Sequence, residues 1–382
     1  MRRIWLALCC ALTAGLLVGC TSSFLPKAKD ISKVELMRTI AIDGAPDEKV
    51  KVTVSSGVKQ GSSGGKPLIL SDEAQTVSSA CQLIQKSGNG YVTYGHVTEC
   101  VVGKEAAKAG VDQLLDYMQR DFEMRMDTLI FLANQDKAGD LITKAATKDI
   151  AATDRLQEIG REMPLKSGAW RCTVREFLVD QYNNGLAMMP TLELEKVNGE
   201  YTIGVKGMAI FHETKLVEQL DEEASRGACV LINEGGAPNQ DVKLKDGGVA
   251  GLKITSSSCR WKAQWENDNL VGMTAEVKVR ANLAELNGTV EFRKKSVLHE
   301  IEQKLAAAIT KEAISALKEE KNHGDFLHLE RELEMQYPGR LKEIEAHWEE
   351  WLKTIHFRVK TEATVERSYD VSRGVEQSGK EG

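Results

Sequence analysis

From Ala275 to Leu283 apolar and polar residues alternate without a break. Ala275, Val277, Val279, Ala281 and Leu283 share one face, and Glu276, Lys278, Arg280 and Asn282 share the other. A period of two marks a strand with one dry side and one wet side. The pattern returns near the end of the chain, where Phe357, Val359, Thr361, Ala363 and Val365 alternate with Arg358, Lys360, Glu362 and Thr364. Between the two lie three stretches of helical period. Val297, Ile301, Leu305, Ile309, Ala313 and Leu317 form one apolar stripe, and Phe326, Leu329 and Leu333 a second. Leu341, Ile344, Trp348 and Trp351 form a third, after the break at Tyr337-Pro338-Gly339. One-sided strands bracketing amphipathic helices require a sheet with its helices on a single face. Residues 271–382 are therefore expected to form a C-terminal α+β domain.

The chain has 382 residues, so more than one domain is the default. Val34 to Ile42 reads as a strand and Asp43 to Asp47 as a turn, with Val50 to Val54 returning as the alternating partner. Ser55 to Lys66 is a Gly/Ser-rich loop. Ser71 is placed to cap a helix carrying Ala74, Val77, Cys81 and Ile84, which Gly88-Asn89-Gly90 ends. Tyr91 to Val102 is strand-like, Lys104 to Asp121 an amphipathic helix, Thr128 to Ala133 a strand and Thr173 to Tyr182 a helix. This alternation predicts an N-terminal α/β domain over residues 34–188. After Pro190, Asn198-Gly199 marks a two-residue hairpin. Met208 to Phe211, Ala228 to Ile232 and Val249 to Ile254 read as strands, and Lys215 to Ser225 as a short helix closed by Gly227. Residues 189–270 are thus expected to form a strand-rich middle domain. The fold class is α+β: three small domains, each a mixed or antiparallel sheet with helices packed on it.

The first twenty residues say where such a body works. Arg2 and Arg3 precede an apolar run from Ile4 to Leu17, too short to span a bilayer comfortably, and Leu17-Val18-Gly19-Cys20 follows. This is the order of a bacterial lipoprotein signal, in which residues 1–19 are removed and the Cys20 sulfur takes the lipid. Diacylglycerol with an acylated amine anchors stably, because each buried CH₂ adds about 0.8 kcal/mol and one chain alone is marginal. Residues 20–33 then serve as a polar, lipidated tether. Loss of Arg2 and Arg3 moves the formal net charge from −6 to −8, which excludes binding of nucleic acid or anionic lipid through bulk charge. No later apolar run reaches the ~20 residues of a membrane span.

Chemistry is thinly represented. Of eight cysteines, Cys81, Cys100, Cys172, Cys229 and Cys259 remain after Cys9, Cys10 and Cys20 are set aside. An odd set leaves at least one thiol unpaired; Cys81–Cys100 and Cys229–Cys259 are the pairings open to an exported chain. Gly61-Ser62-Ser63-Gly64-Gly65 spells G-x-S-x-G, but Lys66-Pro67 follows where the nucleophile elbow needs a helix, so Ser63 reads as loop. His323, Asp325 and His328 share no fixed face for a metal and suit capping or surface roles. His96 reads as a packed strand histidine, and Glu349 and Glu350 as a solvated helix face. Trp261 with Trp265, and Trp348 with Trp351, are either core or an exposed aromatic docking patch. No catalytic, cofactor or metal site is expected.

The order of several segments resembles the Ger(x)C group of spore germination lipoproteins, the C subunits of nutrient germinant receptors. Glu35-Leu36 leading to Ile40-Ala41-Ile42-Asp43 is similar to that family's opening strand. Tyr94-Gly95-His96, then Val101 to Ala107, and Leu114-Leu115-Asp116 with Arg120-Asp121 and Glu123 follow in family order. Thr173 to Leu178, Met189-Pro190, Phe211 with Lys215-Leu216-Val217 and Leu220, Asp325-Phe326, Tyr337-Pro338 and Trp348 continue it. The resemblance implies three α+β domains and a lipid anchor on the outer face of the spore's inner membrane. It also implies assembly with integral-membrane A and B subunits, and no catalytic residue. Two other readings stay open: a substrate-binding lipoprotein of an ABC-type transporter, which needs two similar lobes around a hinged cleft, and a lipid-anchored hydrolase with Ser63 as nucleophile.

Overall fold

A computed structural model describes Trp5 and residues 33–58, 66–88, 90–135, 137–146, 151–166, 168–234, 239–287 and 294–366. The fold is mixed α/β, with helices packed on two sheets. Strand β1 (Val34–Gly44) lies near the middle of the larger sheet. On one side it pairs antiparallel with β2 (Val50–Ser56), which pairs with β3 (Ile69–Ala74). On the other it runs parallel to β5 (Glu99–Val102), and β5 to β6 (Leu129–Ala133). The short β4 (Tyr91–Thr93) pairs with the start of β1. Strand β7 (Leu186–Val197) joins β6 in parallel and then turns back through β8 (Glu200–His212) and β9 (Lys215–Gln219).

Helices α1 (Val77–Ser87), α2 (Lys104–Ala109), α3 (Asp112–Arg120) and α6 (Val174–Asn184) cover one face of this sheet. Helices α4 (Ala138–Ala145) and α5 (Ala152–Lys166) cover the other. The alternation within β1 and β5 sorts residues between the faces: Ile40, Ile42, Cys100 and Val102 pack on one, and Ala41 and Val101 on the other.

The second sheet has the order β10 (Gln240–Lys243), β11 (Val249–Glu266), β12 (Asn269–Asn287), β13 (His356–Val365). The β11–β12 hairpin is long, and its turn residues Asn267 and Asp268 both have positive φ, as a type I′ turn requires. Strand β13 returns parallel to β12 after α8 (Lys295–His323), α9 (Leu329–Gln336) and α10 (Leu341–Thr354). As the alternation predicts, Ala275, Val277, Val279, Ala281 and Leu283 are buried beneath those helices.

Helix α7 (Glu222–Leu231) joins the two sheets. Asp221 Oδ1 caps it by accepting from the Ala224 N–H at 2.7 Å. Almost every residue from Ala224 to Leu231 is buried, which is why a periodicity reading takes Ala228 to Ile232 for a strand: a helix enclosed on all sides has no wet stripe. Ser225 Oγ accepts from the Met208 N–H at 3.0 Å, docking the helix on β8, and Trp261 Nε1 donates to Leu231 O at 3.3 Å, docking it under β11. Against α8 there is no room for a side chain. A Cβ on Gly227 would stand 1.9 Å from the Glu312 carbonyl oxygen and 2.4 Å from its carbon. The larger apolar core therefore runs unbroken from Phe131 and Leu156 through Ala228 to Ile309 and Trp351.

Several local readings change. Ser71 lies in edge strand β3, whose outward residues are exposed, and the helix starts five residues later under Thr76, whose Oγ1 accepts from Ser79 N–H at 3.1 Å. The stretch from Lys104 to Asp121 is two helices, broken where Gly110 adopts φ +125 and the Val111 N–H donates to Thr214 O. Lys215 to Gln219 is a strand, and the helix follows it. Residues 188 and 189 both lie within β7 and 270 and 271 within β12; β8 and β9 extend the first sheet, while β10 and β11 belong to the second. Cys81, Cys100, Cys172, Cys229 and Cys259 are all free and buried.

Two outcomes follow at the α7–α8 crossing. Gly227→Ala gains up to about 1 kcal/mol in helix propensity, yet overpacking against backbone costs about 1–3 kcal/mol or more; thermal melts should show net destabilisation. Glu312, 3 % exposed, faces Arg226 at 2.9 Å, and burial outweighs that cation to push its carboxyl up to about 7. A carboxyl that holds its proton more tightly when folded stabilises fully below its unfolded value, ~4.3, and loses that as pH rises through the folded one. Unfolding free energies in urea at pH 5 and pH 8 should thus converge in Glu312→Gln by about 1–3 kcal/mol.

Candidate functional site

The cleft that gathers the most chemistry lies where the two sheets meet. It encloses about 420 Å³, within the range of small-molecule sites. The segment Trp170 to Cys172 and helix α6 form one wall, through Glu176 and Asp180; α9 forms the other, through His328, Arg331, Glu332 and Met335. Leu231 to Glu234 and the β11 residues Cys259 and Trp261 make the floor. Asn233 fixes that floor at two points: its Oδ1 accepts from the Cys259 N–H at 2.6 Å, and its Nδ2 donates to Cys259 O at 3.1 Å. Gln336 Nε2 donates to Trp261 O at 3.1 Å, tying α9 to the same strand.

Across the cleft, His328 Nε2 stands 3.7 Å from Asp180 Oδ1. Burial raises the Asp180 carboxyl above its ordinary value; His328 and Arg331 oppose this and Glu176 adds to it. Charges of both signs face each other with no nucleophile among them, since Cys172 and Cys259 are buried and burial pushes both thiols up, Cys259 to about 12. The arrangement ties the two walls together through His328 and Asp180.

Residues of the segments that carry the family resemblance act as clasps. Asp43 accepts from the Ala138 and Gly139 N–H groups at 2.6 and 2.9 Å, fixing the start of α4 to the end of β1. Glu123 accepts from Thr93 Oγ1 at 2.8 Å and from the Tyr94 N–H at 2.6 Å, while Tyr94 donates its hydroxyl to Cys81 O. Asp325 caps α9 by accepting from the Leu329 and Glu330 N–H groups at 2.6 and 2.9 Å. Asn184 Nδ2 donates to the Asp325 carbonyl at 2.9 Å and so ties α6 to that corner.

The residues singled out from sequence do not converge. Cys20 and Ser63 lie outside the described residues. His323 pairs with Glu319 at 3.2 Å, Asp325 caps a helix and His328 sits in the cleft; among the described residues no group of three or more His, Cys, Asp or Glu side chains is placed to hold a metal. His96 is exposed in the turn between β4 and β5, and Glu349 and Glu350 form the solvated face of α10. The tryptophans point inward: Trp265 meets Trp351 edge-on at 5.5 Å, and Trp261 and Trp348 are buried. No helix among the described residues is long and apolar enough to cross a membrane. Two buried carboxylates escape a periodicity reading. Glu99, at the head of β5, accepts from Thr153 Oγ1 at 2.7 Å, and Glu320, near the end of α8, accepts from the Leu327 N–H at 3.1 Å. Desolvation raises both carboxyls.

Two germination family models match in series. "Spore germination protein N-terminal domain" covers residues 27–194, and "Spore germination B3/ GerAC like, C-terminal" covers residues 206–369. The chain belongs to the Ger(x)C family of spore germination proteins. It is similar to YfkR of Bacillus subtilis (strain 168), named provisionally for spore germination, at 23% identity over 324 residues, 79% of this chain and 80% of that one. It is also similar to spore germination protein KC of the same organism, at 21% identity with 96% of each chain covered. The crystal structure of the GerBC protein shares the fold, with a TM-score of 0.58, 18% identity, and coverage of 86% of this chain and 97% of that one.

Asn233→Ala removes both bonds to the Cys259 backbone and leaves polar groups of β11 unpaired. A loss of about 1–3 kcal/mol is expected, read as a lower urea midpoint with an unchanged slope.

Proposed function

We propose that the protein is a lipid-anchored, non-enzymatic C subunit of a spore germinant receptor, supporting nutrient-triggered germination together with integral-membrane A and B subunits. The observation that carries this reading is the succession of two germination domains over residues 27–194 and 206–369, behind a signal that ends in Cys20. Cys20 would hold the body on the outer face of the spore's inner membrane. The role is positional: a single body with a continuous core presents fixed surfaces to multi-pass partners. The clasping roles of Asp43, Glu123 and Asp325 support a non-catalytic assignment. A transporter's binding protein, the alternative, needs two similar lobes free to close on a ligand. The enclosed helix α7 and the core continuous through it speak against such a hinge.

Replacing Cys20 by Ala should release the protein from detergent-free spore membranes into the soluble fraction; persistent sedimentation with the membrane would defeat the anchor. Affinity purification from solubilised spore membranes should recover A- and B-type subunits with the wild-type chain. Deleting the gene, in a strain without paralogues, should abolish the response to at least one nutrient.

A further inference from the structure

Between Ser256 and Lys262 of β11 and the strands paired with it, the outer face of the second sheet carries only charged and hydroxyl side chains among the described residues. The register of β11, β12 and β13 sets its outward residues in rows. Lys262, Thr274 and Arg358 make one row, and Arg260, Glu276 and Lys360 the next. Ser258, Lys278 and Glu362 make the third, and Ser256, Arg280 and Thr364 the last. Most of these side chains are exposed. The two acids are committed: Glu276 accepts from Lys262 Nζ at 2.8 Å, and Glu362 lies 3.7 Å from Lys278. Arg280 reaches Glu366 at 3.5 Å. Lys262 and, less strongly, Lys360 hold the Glu276 carboxyl below its ordinary value, while Arg260 and Arg358 form no salt bridge among the described residues.

A chain of net negative charge thus turns one positive sheet face outward. Elsewhere, Glu330, Glu334, Glu345 and Glu349 cluster around α9 and α10. Solvent-exposed charges farther apart than the ~8 Å Debye length at physiological salt are largely screened from one another. The positive face therefore acts locally, whatever the sign of the whole.

We infer that this sheet face docks on anionic lipid headgroups at the membrane to which the chain is tethered, turning a flexible anchor into a fixed orientation. The inference rests on the membrane-tethered reading above. Charge complementarity selects the occupant. A protein partner would need aromatic or aliphatic anchors at the centre of the patch, where lysine is disfavoured; the rows hold only charged residues, serine and threonine. A headgroup layer asks for no pocket, only for basic side chains spread over a plane, each worth roughly fivefold in partitioning. The rows extend about 20 Å along the strands, enough for several to engage together.

The test uses the mature full-length chain carrying Cys20→Ala, so that no lipid contributes. It is floated with phosphatidylcholine vesicles with or without phosphatidylglycerol. Binding is expected only to the anionic vesicles, at about 0.15 M salt and not at about 1 M. Neutralising Arg260, Arg358 and Lys360 to Gln should weaken it on the order of a hundredfold, with circular dichroism and melting unchanged. Neutralising Lys86, Lys137 and Lys144, remote from the sheet, should leave it intact. Equal binding to neutral vesicles, no binding to anionic ones, or equal loss in both triple variants would overturn the inference. Capture of polyglutamate while anionic vesicles are ignored would overturn it in favour of an acidic protein partner. None of these outcomes touches the anchor, which the Cys20→Ala fractionation tests alone.

Discussion

The approach of α7 to α8 at Gly227 holds the architecture together. With no Cβ there, the two helices meet backbone to backbone, and the buried Arg226–Glu312 pair lies beside the contact. Ser225 on α7 binds β8 and Leu231 at its other end binds Trp261 of β11, so one short helix touches both sheets and the longest helix. The ion pair is weak support in energetic terms, because desolvating two charges offsets most of their attraction. Its geometry still sets which faces meet. A mismatch would leave Arg226 or Glu312 buried without its counterpart, a far larger cost than the pair's net worth.

Much of this could be read from the residues alone. Asn198-Gly199 sits at the hairpin tip, where both residues have positive φ. Thr173 and Glu176 form a reciprocal capping box at the start of α6. The alternation of β12 and β13 divides buried from exposed residues as its period dictates. These signals are local, and local chemistry is what a sequence displays. The readings that changed concern elements whose surroundings are decided at a distance. Helix α7 has no polar stripe because three partners enclose it, and β7 continues the first sheet because β6 supplies a parallel neighbour. The cleft was not legible at all: Arg171, Asn233, Cys259 and Arg331 come from separate parts of the chain, and only the joining of the sheets brings them together.

The buried carboxyls belong to the same economy of joints. Asp43, Glu99, Glu312, Glu320 and Asp325 each lie where two or more elements meet, and each is held by hydroxyls, backbone N–H groups or a guanidinium. Polar groups at such junctions favour one arrangement of the elements, since an ill-fitting alternative leaves them unsatisfied. Burial raises the carboxyls of Asp43, Glu99, Glu312 and Glu320, so what these four contribute weakens as pH rises and they must ionise in the dry interior.

Strand β1 is both the first strand among the described residues and an interior strand of its sheet, bonded to β2 on one flank and to β4 and β5 on the other. A pull along the preceding residues would load those ladders together, lengthwise, instead of peeling them apart one rung after another. Under the anchoring proposed above, attachment through such a strand would resist swelling or shear, whereas attachment through an edge strand would unzip.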